Sequence, residues 1–255
     1  MAVRIGRIVL IAIGCLTQIT LAHAADLKVY STVGVKSALE ELTPQLEKLS
    51  GDKIAITWGT AVMLAKRIEA GESADLLILT REALDGLAKD GKVESGTAVT
   101  FASSGTVVAI KAGASKPDIS TPDAFKQTLL AAPAIAYVDP ASGGATGTYM
   151  AKLLERMGIA EQMKPKTVYP PAGGNAAELV IADKAQLAIE PKPEAMAVPG
   201  IEVVGMLPGD LNSIAHFAAG IGAGTSQMPA ARAALDGLRS PEARAIYEAK
   251  GLDPG

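Results

Sequence analysis

Cysteine and histidine are nearly absent from this chain: it has one cysteine and two histidines in 255 residues. Cys15 and His23 both fall within the first 24 residues, which leaves the rest without thiol or disulfide and with a single imidazole, His216. That removes zinc sites of the usual His/Cys kind and cysteine nucleophiles. A Ser-His-Asp triad would have to use His216, and no Gly-x-Ser-x-Gly elbow accompanies it. No metal or other cofactor is expected. The chain also lacks an excess of positive charge, with a formal net charge of −3. Nucleic acid, which needs a basic face, is therefore not an expected partner. Beyond the N-terminus no run is long and apolar enough to span a bilayer.

What the chain does have begins with an export signal over residues 1–24. Arg4 and Arg7 form its positive end, Ile8 to Leu21 its apolar stretch, and Ala22-His23-Ala24 a small-x-small cleavage site. A lipoprotein reading, with Cys15 lipidated, would cut the apolar stretch short and puts Ala12 where leucine is usual. Export predicts a periplasmic protein of 231 residues with a formal charge of −5, since the signal takes two arginines and no acids. A chain of that size suffices for one large domain or two small lobes.

Short apolar runs alternate with helical patterns, which predicts an α/β fold. Strands are expected at 27–30, 53–58, 75–79, 106–111, 135–138, 186–189, 201–204 and 214–221, with Val168 strand-like. Helices are expected at 35–49, 63–70, 81–89, 148–157, 176–182, 229–238 and 241–250, and another opens at Thr121-Pro122-Asp123 with Thr as N-cap. The order suggests two lobes, the second inserted into the first: residues 25–103 with 209–255, and residues 104–208. The chain would cross near 101–104 and 207–211. No internal repeat is visible.

Three hydroxyl- and glycine-rich runs fall where a strand should give way to a helix. They are Ser31-Thr32, Gly59-Thr60 and Ser142-Gly143-Gly144-Ala145-Thr146-Gly147. Helix N-termini carry unpaired N–H groups and partial positive charge, so each run is a potential anion cradle. In an open α/β sheet these positions lie beyond the carboxyl ends of the strands, where ligands bind. Taken singly, Ser31, Thr32, Gly59 and Thr60 also suit a plain helix cap or turn. The third run is neither a Walker loop nor a dinucleotide fingerprint. Its small residues would let backbone N–H groups approach a ligand. Lys36, on the first turn of its helix, could reach a carboxylate. In Glu190-Pro191-Lys192-Pro193, directly after a strand, two prolines make a rigid turn, so Glu190 or Lys192 could be aimed into a cleft.

These residues give the chain a family likeness. Val29-Tyr30-Ser31-Thr32, Ile56-Thr57-Trp58-Gly59-Thr60-Ala61, Arg67-Ile68-Glu69-Ala70-Gly71, Ala74 to Leu79, Asp139-Pro140, Ser240 to Ala243 and Lys250-Gly251-Leu252 resemble the molybdate-binding-protein family of ABC-transporter receptors. The resemblance implies a type II periplasmic binding protein with a ligand cleft between lobes, working as a monomer with an ABC permease. It implies that neutral donors hold a small anion, with Ser31 and Thr60 at two contact positions and a third near Ala145. Where tetrahedral-oxyanion binders of the family carry a tyrosine, this chain has Pro191, which implies a larger anion such as a di- or tricarboxylate. The family also includes a periplasmic aconitate isomerase. On that alternative Lys36, Glu190 and Lys192 would be the proton carriers, and the glycine-loop N–H groups would stabilise developing charge.

Overall fold

A computed structural model describes residues 26–142, 144–171 and 174–255. The proposed signal segment and Gly143 lie outside the described residues. The first stretch runs β1 (Leu27–Thr32), α1 (Lys36–Ser50), β2 (Ile54–Gly59), α2 (Ala61–Glu69), β3 (Leu76–Thr80) and α3 (Arg81–Lys89). The long strand β4 (Val99–Lys111) leads to α4 (Pro122–Ala131), β5 (Ile135–Ala136), α5 (Ala145–Arg156), α6 (Ala160–Met163) and β6 (Thr167–Val168). Then come α7 (Ala176–Ile181), β7 (Leu187–Pro191), α8 (Lys192–Met196), β8 (Ile201–Met206), β9 (Ile214–Ile221), α9 (Met228–Gly237), α10 (Pro241–Ala249) and β10 (Asp253–Pro254).

The strands form a mixed sheet in the order β2-β1-β3-β9-β4-β7-β5-β6, with β8 and β10 also paired to β4. One strand joins its two halves. Residues 99–105 of β4 pair antiparallel with β9. Residues 106–111 pair with β7 and β8 instead. This explains why β4 starts seven residues before the apolar run that marks it in the sequence: the extra length is stabilised by a partner more than a hundred residues away.

Each half is covered on both faces by helices whose apolar stripes follow helical spacing. In the first half Ala38, Leu39, Leu42 and Leu46 of α1 pack with α9 and α10 against Leu27, Val29, Leu76 and Ile78. Leu64 and Ile68 of α2, and Leu84 and Leu87 of α3, cover the other face with Tyr30, Leu77 and Leu79. The period-two alternation of β1 and β3 therefore feeds two separate cores. In the second half α4, α5 and α6 cover one face, and α7 and α8 the other.

Both halves share one arrangement, and it locates the cleft-facing ends. β1 runs parallel between β2 and β3. Its own helix α1 lies on one face, while α2 and α3 lie on the opposite face. β5 likewise runs parallel between β6 and β7. Its helix α5 lies on one face, and α7 and α8 on the other. Where neighbouring strands send their connections to opposite faces, the chain leaves a crevice at the carboxyl end of the sheet. The topology puts such positions beside Thr32 and beside the segment after Ala136.

Candidate functional site

The first crevice is built by hydroxyls. The register sets Ser31 opposite Trp58 and Thr32 opposite Gly59, so Gly59-Thr60 lies beside Ser31-Thr32 on one edge. Ser31 is fully buried, and its hydroxyl donates to the Thr32 carbonyl at 3.2 Å. Thr32 is 6% exposed, and its hydroxyl caps none of the N–H groups of the short 3-10 turn Val33–Val35. No fully buried side-chain oxygen or nitrogen among the described residues lacks a partner. Among the described residues the Thr32 hydroxyl has no hydrogen-bond partner, so it reaches open space at the carboxyl end of β1. A hydroxyl can turn its proton either to donate or to accept, so this arrangement suits an oxygen-rich ligand without fixed positive charge.

Thr60 behaves differently. Its oxygen accepts from the Met63 N–H at 3.2 Å, an ordinary N-cap that leaves its proton and one lone pair free for a ligand. A Cβ on Gly59 would meet the end of the flexible, exposed Met63 side chain, which can turn aside, and would crowd Leu64, so packing favours glycine there only mildly. Thr80 ends β3 in nearly the same backbone conformation (φ −64°, ψ 148°) as Thr60 (φ −73°, ψ 149°), yet its hydroxyl caps nothing. Thr80 was not singled out in the sequence, although it repeats the strand-Thr-helix pattern of Thr60.

The second crevice follows β5. Pro140–Ser142 form a single 3-10 turn in which Asp139 accepts from the Ala141 N–H at 2.9 Å and the Ser142 hydroxyl donates to the Asp139 carbonyl at 2.7 Å. Ser142 thus spends its hydroxyl on its own turn. The helix α5 begins at Ala145, three residues earlier than its periodicity predicts, with Gly144 as an N-cap that offers no side chain. Ala145, Thr146 and Gly147 are its first turn, so their N–H groups lack intrahelical acceptors. The glycines have a packing role beside any contact with a ligand. A Cβ on Gly144 would stand 2.9 Å from a Val138 methyl, and one on Gly147 would overlap the Val138 carbonyl oxygen.

The charged candidates separate. Lys36 is half-exposed at the start of α1, with its ammonium 5.9 Å from the Trp58 ring centre and 3.8 Å from Glu40. Lys192 opens α8 where the second half meets the C-terminal segment, its Cγ 3.3 Å from the position a Gly251 Cβ would take. Glu190 is fully buried, and its two carboxyl oxygens accept from the N–H groups of Ala176 and Ala177 at 3.1 Å each. Burial, reinforced by the neighbouring Glu194, pushes its carboxyl up to about 8 against the pull of those two N–H groups. Burial also pushes Glu194 up to about 7. Asn175 ties the same corner together, accepting from the Ala177 N–H and donating to the Glu194 carbonyl, both at 2.9 Å. His216 is exposed on β9, opposite Ser103.

A further motif of the family likeness is structural in this fold. Arg67 holds Glu72 through two bonds of 2.8 and 2.9 Å, donates to the Tyr30 hydroxyl at 3.1 Å, and stacks 4.8 Å above the Tyr30 ring. Tyr30 in turn donates to Glu72. Among the described residues no group of three or more His, Cys, Asp or Glu side chains is placed to hold a metal ion.

Comparison with known proteins agrees with this architecture. The chain is 34% identical over 234 residues to an aconitate isomerase from a Pseudomonas species, covering 89% of this chain and 87% of that protein. It is 25% identical over 234 residues to the molybdate-binding protein ModA of Escherichia coli K12, covering 91% and 90%. The fold superposes on the periplasmic molybdate-binding protein of Azotobacter vinelandii with a TM-score of 0.71 at 20% identity, over 89% of this chain and 98% of that one. The sulfate-binding protein SubI of Mycobacterium tuberculosis H37Rv gives 0.69 at 15% identity, over 90% and 87%. The family described as bacterial extracellular solute-binding protein matches residues 27–253, and the chain belongs to it.

Proposed function

We propose that this is a periplasmic receptor that captures a small anion between two lobes and delivers it to the permease of an ABC-type transporter. The lobes correspond to residues 25–103 with 209–255, and to residues 104–208. The observation that carries the anion is Thr32, nearly buried with an unpaired hydroxyl, beside Ser31 and across from Gly59-Thr60. The N–H groups of Ala145, Thr146 and Gly147 supply donors from the other lobe. Neutral donors neutralise nothing by themselves but match the many lone pairs of an oxyanion or carboxylate. The acidic protein then keeps its pocket selective by geometry, without a general pull on anions.

The ligand class favoured is a di- or tricarboxylate. The relative at 34% identity is an aconitate isomerase, which also supports a second reading: an allylic proton shift between trans- and cis-aconitate. The two readings share a pocket but differ in chemistry. An isomerase needs a base that reaches the substrate carbon, whereas capture needs only closure over the ligand. Glu190 has the raised pKa of a base, but both its oxygens are engaged by Ala176 and Ala177.

The experiment is a titration of the mature protein with trans-aconitate, citrate, molybdate and sulfate by calorimetry. A parallel incubation with trans-aconitate is followed for cis-aconitate by chromatography. Stoichiometric binding without turnover is expected. Sustained turnover would establish the isomerase, and no binding of any of the four anions would refute the receptor reading.

A further inference from the structure

Thr32 lies between the starts of two helices. On one side the register pairs it with Gly59, and α2 begins two residues later at Ala61. On the other side Ser31 stands opposite Ile78, which brings Thr32 beside Leu79, and α3 begins two residues later at Arg81. Side chains alternate between the two faces along β1. Tyr30 belongs to the face that α2 and α3 cover, so Thr32, two residues on, projects to that same face. Its hydroxyl, in a residue 6% exposed and without a partner among the described residues, thus lies between the first turns of α2 and α3.

The two helix starts differ. Thr60 closes the start of α2 by accepting from the Met63 N–H at 3.2 Å. Thr80 stands at the same point of α3 with nearly the same backbone angles, yet its side chain bonds none of that turn's N–H groups. α3 is nine residues long, and its first N–H groups have no acceptor within the helix. The one acid of its first turn, Glu82, is exposed. The Arg81 side chain reaches Asp85 and Thr100, on the side away from β1, and takes no part at this position. A nearly buried hydroxyl and a set of open N–H groups are thereby gathered at one place. An anionic oxygen is the acceptor that matches them.

We infer that the start of α3, with the Thr32 hydroxyl beside it, is a second carboxylate seat: one carboxylate binds at Ser31 and Thr60, and another at the first N–H groups of α3. This rests on the anion-receptor reading and extends it to the specificity of the same pocket. β2 and β3 flank β1, so the starts of α2 and α3 stand about 10 Å apart, two strand spacings. Hydrogen bonds of about 3 Å at each end leave roughly 4 Å between the outer oxygens of the ligand. Two carboxylates on a short carbon chain span that gap, and one compact tetrahedral oxyanion does not. The donors here are main-chain N–H groups, so a side chain that caps α3 from within competes with the ligand for them.

The test closes the start of α3. At an N-cap, aspartate and asparagine accept from the N–H groups that alanine leaves open. Wild type, Thr80→Asp, Thr80→Asn and Thr80→Ala are titrated by calorimetry with trans-aconitate, citrate, molybdate and sulfate, and each is unfolded thermally. Wild type is expected to bind a tricarboxylate. Thr80→Asp should weaken that binding by about tenfold or more and Thr80→Asn by about threefold or more, while both unfold at or above the wild-type temperature. Thr80→Ala should stay within about twofold of wild type, since it leaves the N–H groups open. A merely structural Thr80 would link the two readouts the other way, with the better capped variants binding at least as well. Tricarboxylate affinity unchanged in both Thr80→Asp and Thr80→Asn overturns the inference and leaves the receptor reading standing. So does a loss in Thr80→Asp alone, which reports charge repulsion, and a loss in Thr80→Ala equal to that in Thr80→Asn, which reports the hydroxyl. Binding of molybdate or sulfate with no tricarboxylate binding also overturns the inference alone. If wild type binds none of the four anions, the receptor reading fails and the inference with it. Should Thr80→Asp not fold, Thr80→Asn against Thr80→Ala decides the matter.

Discussion

Replacing Glu190 by glutamine should change how stability depends on pH. The Glu190 carboxyl is fully buried and pushed up to about 8 by burial and by Glu194. In the unfolded chain it titrates near its ordinary 4.5. Between those values the folded protein holds a proton that the unfolded chain has released, so stability falls as pH rises through that window and levels off above it. A shift of this size corresponds to roughly 3–5 kcal/mol between pH 4.5 and 9, at about 1.4 kcal/mol per unit. Glu194, raised to about 7 by burial, adds in the same direction.

Glutamine cannot ionise, which removes the Glu190 share of that slope. Its amide oxygen accepts from only one of the two N–H groups of Ala176 and Ala177; with the Ala177 N–H still held by Asn175, the loss is one hydrogen bond, about 0.5–1.5 kcal/mol. The Glu190→Gln variant should therefore be less stable than wild type near pH 5 and as stable or more stable near pH 9. Urea unfolding followed by the fluorescence of Trp58, the chain's single tryptophan, at intervals from pH 5 to 9 measures both curves. Two parallel curves would refute the assignment of a buried, proton-holding carboxyl at this corner.

Other consequences are open to measurement. Glu72, held down to about 2 chiefly by the Arg67 guanidinium and then by the Tyr30 hydroxyl, contributes stability above about pH 4.5 that is lost as pH falls toward 2. Glu72→Gln should flatten acid unfolding in that range, as read by circular dichroism, with little change at pH 7 and above in the slope with pH. Gly147→Ala should destabilise the fold by about 1–3 kcal/mol, because the new methyl must displace α5 from the Val138 carbonyl. An unchanged urea midpoint would show that this helix start yields easily. Ser31→Ala combined with Thr60→Ala should abolish binding of whichever anion wild type takes up in calorimetry, while thermal unfolding moves by only a few degrees. Retained affinity would remove these hydroxyls from the site.

The sequence alone determined the architecture, because its signals are local. The apolar stripe Ala38, Leu39, Leu42, Leu46 makes α1 a helix wherever it lies, and Thr121-Pro122-Asp123 caps α4 from within its own first turn. Glycine at residue 51, with φ 81°, ends α1 for a reason local to the backbone. The three strand-to-helix junctions at Ser31-Thr32, Gly59-Thr60 and Ser142–Thr146 were visible for the same reason.

Tertiary structure decided what each of those residues does. Thr60 and Thr32 look alike in sequence, yet only Thr60 closes a cap: a 3-10 turn follows Thr32, and its hydroxyl bonds none of that turn's N–H groups. Gly147 looked like an opening for a ligand and also proves to be a point of contact with Val138. Glu190 stands free beside two prolines in the sequence, and α8, which starts at Lys192, is too short at five residues to show a helical period. Only the packing of α7 and α8 over β7 turns that carboxyl inward, into a medium where its charge is costly and its proton is kept. Local chemistry names the elements, and which hydroxyl or carboxyl remains free depends on neighbours that arrive from distant parts of the chain.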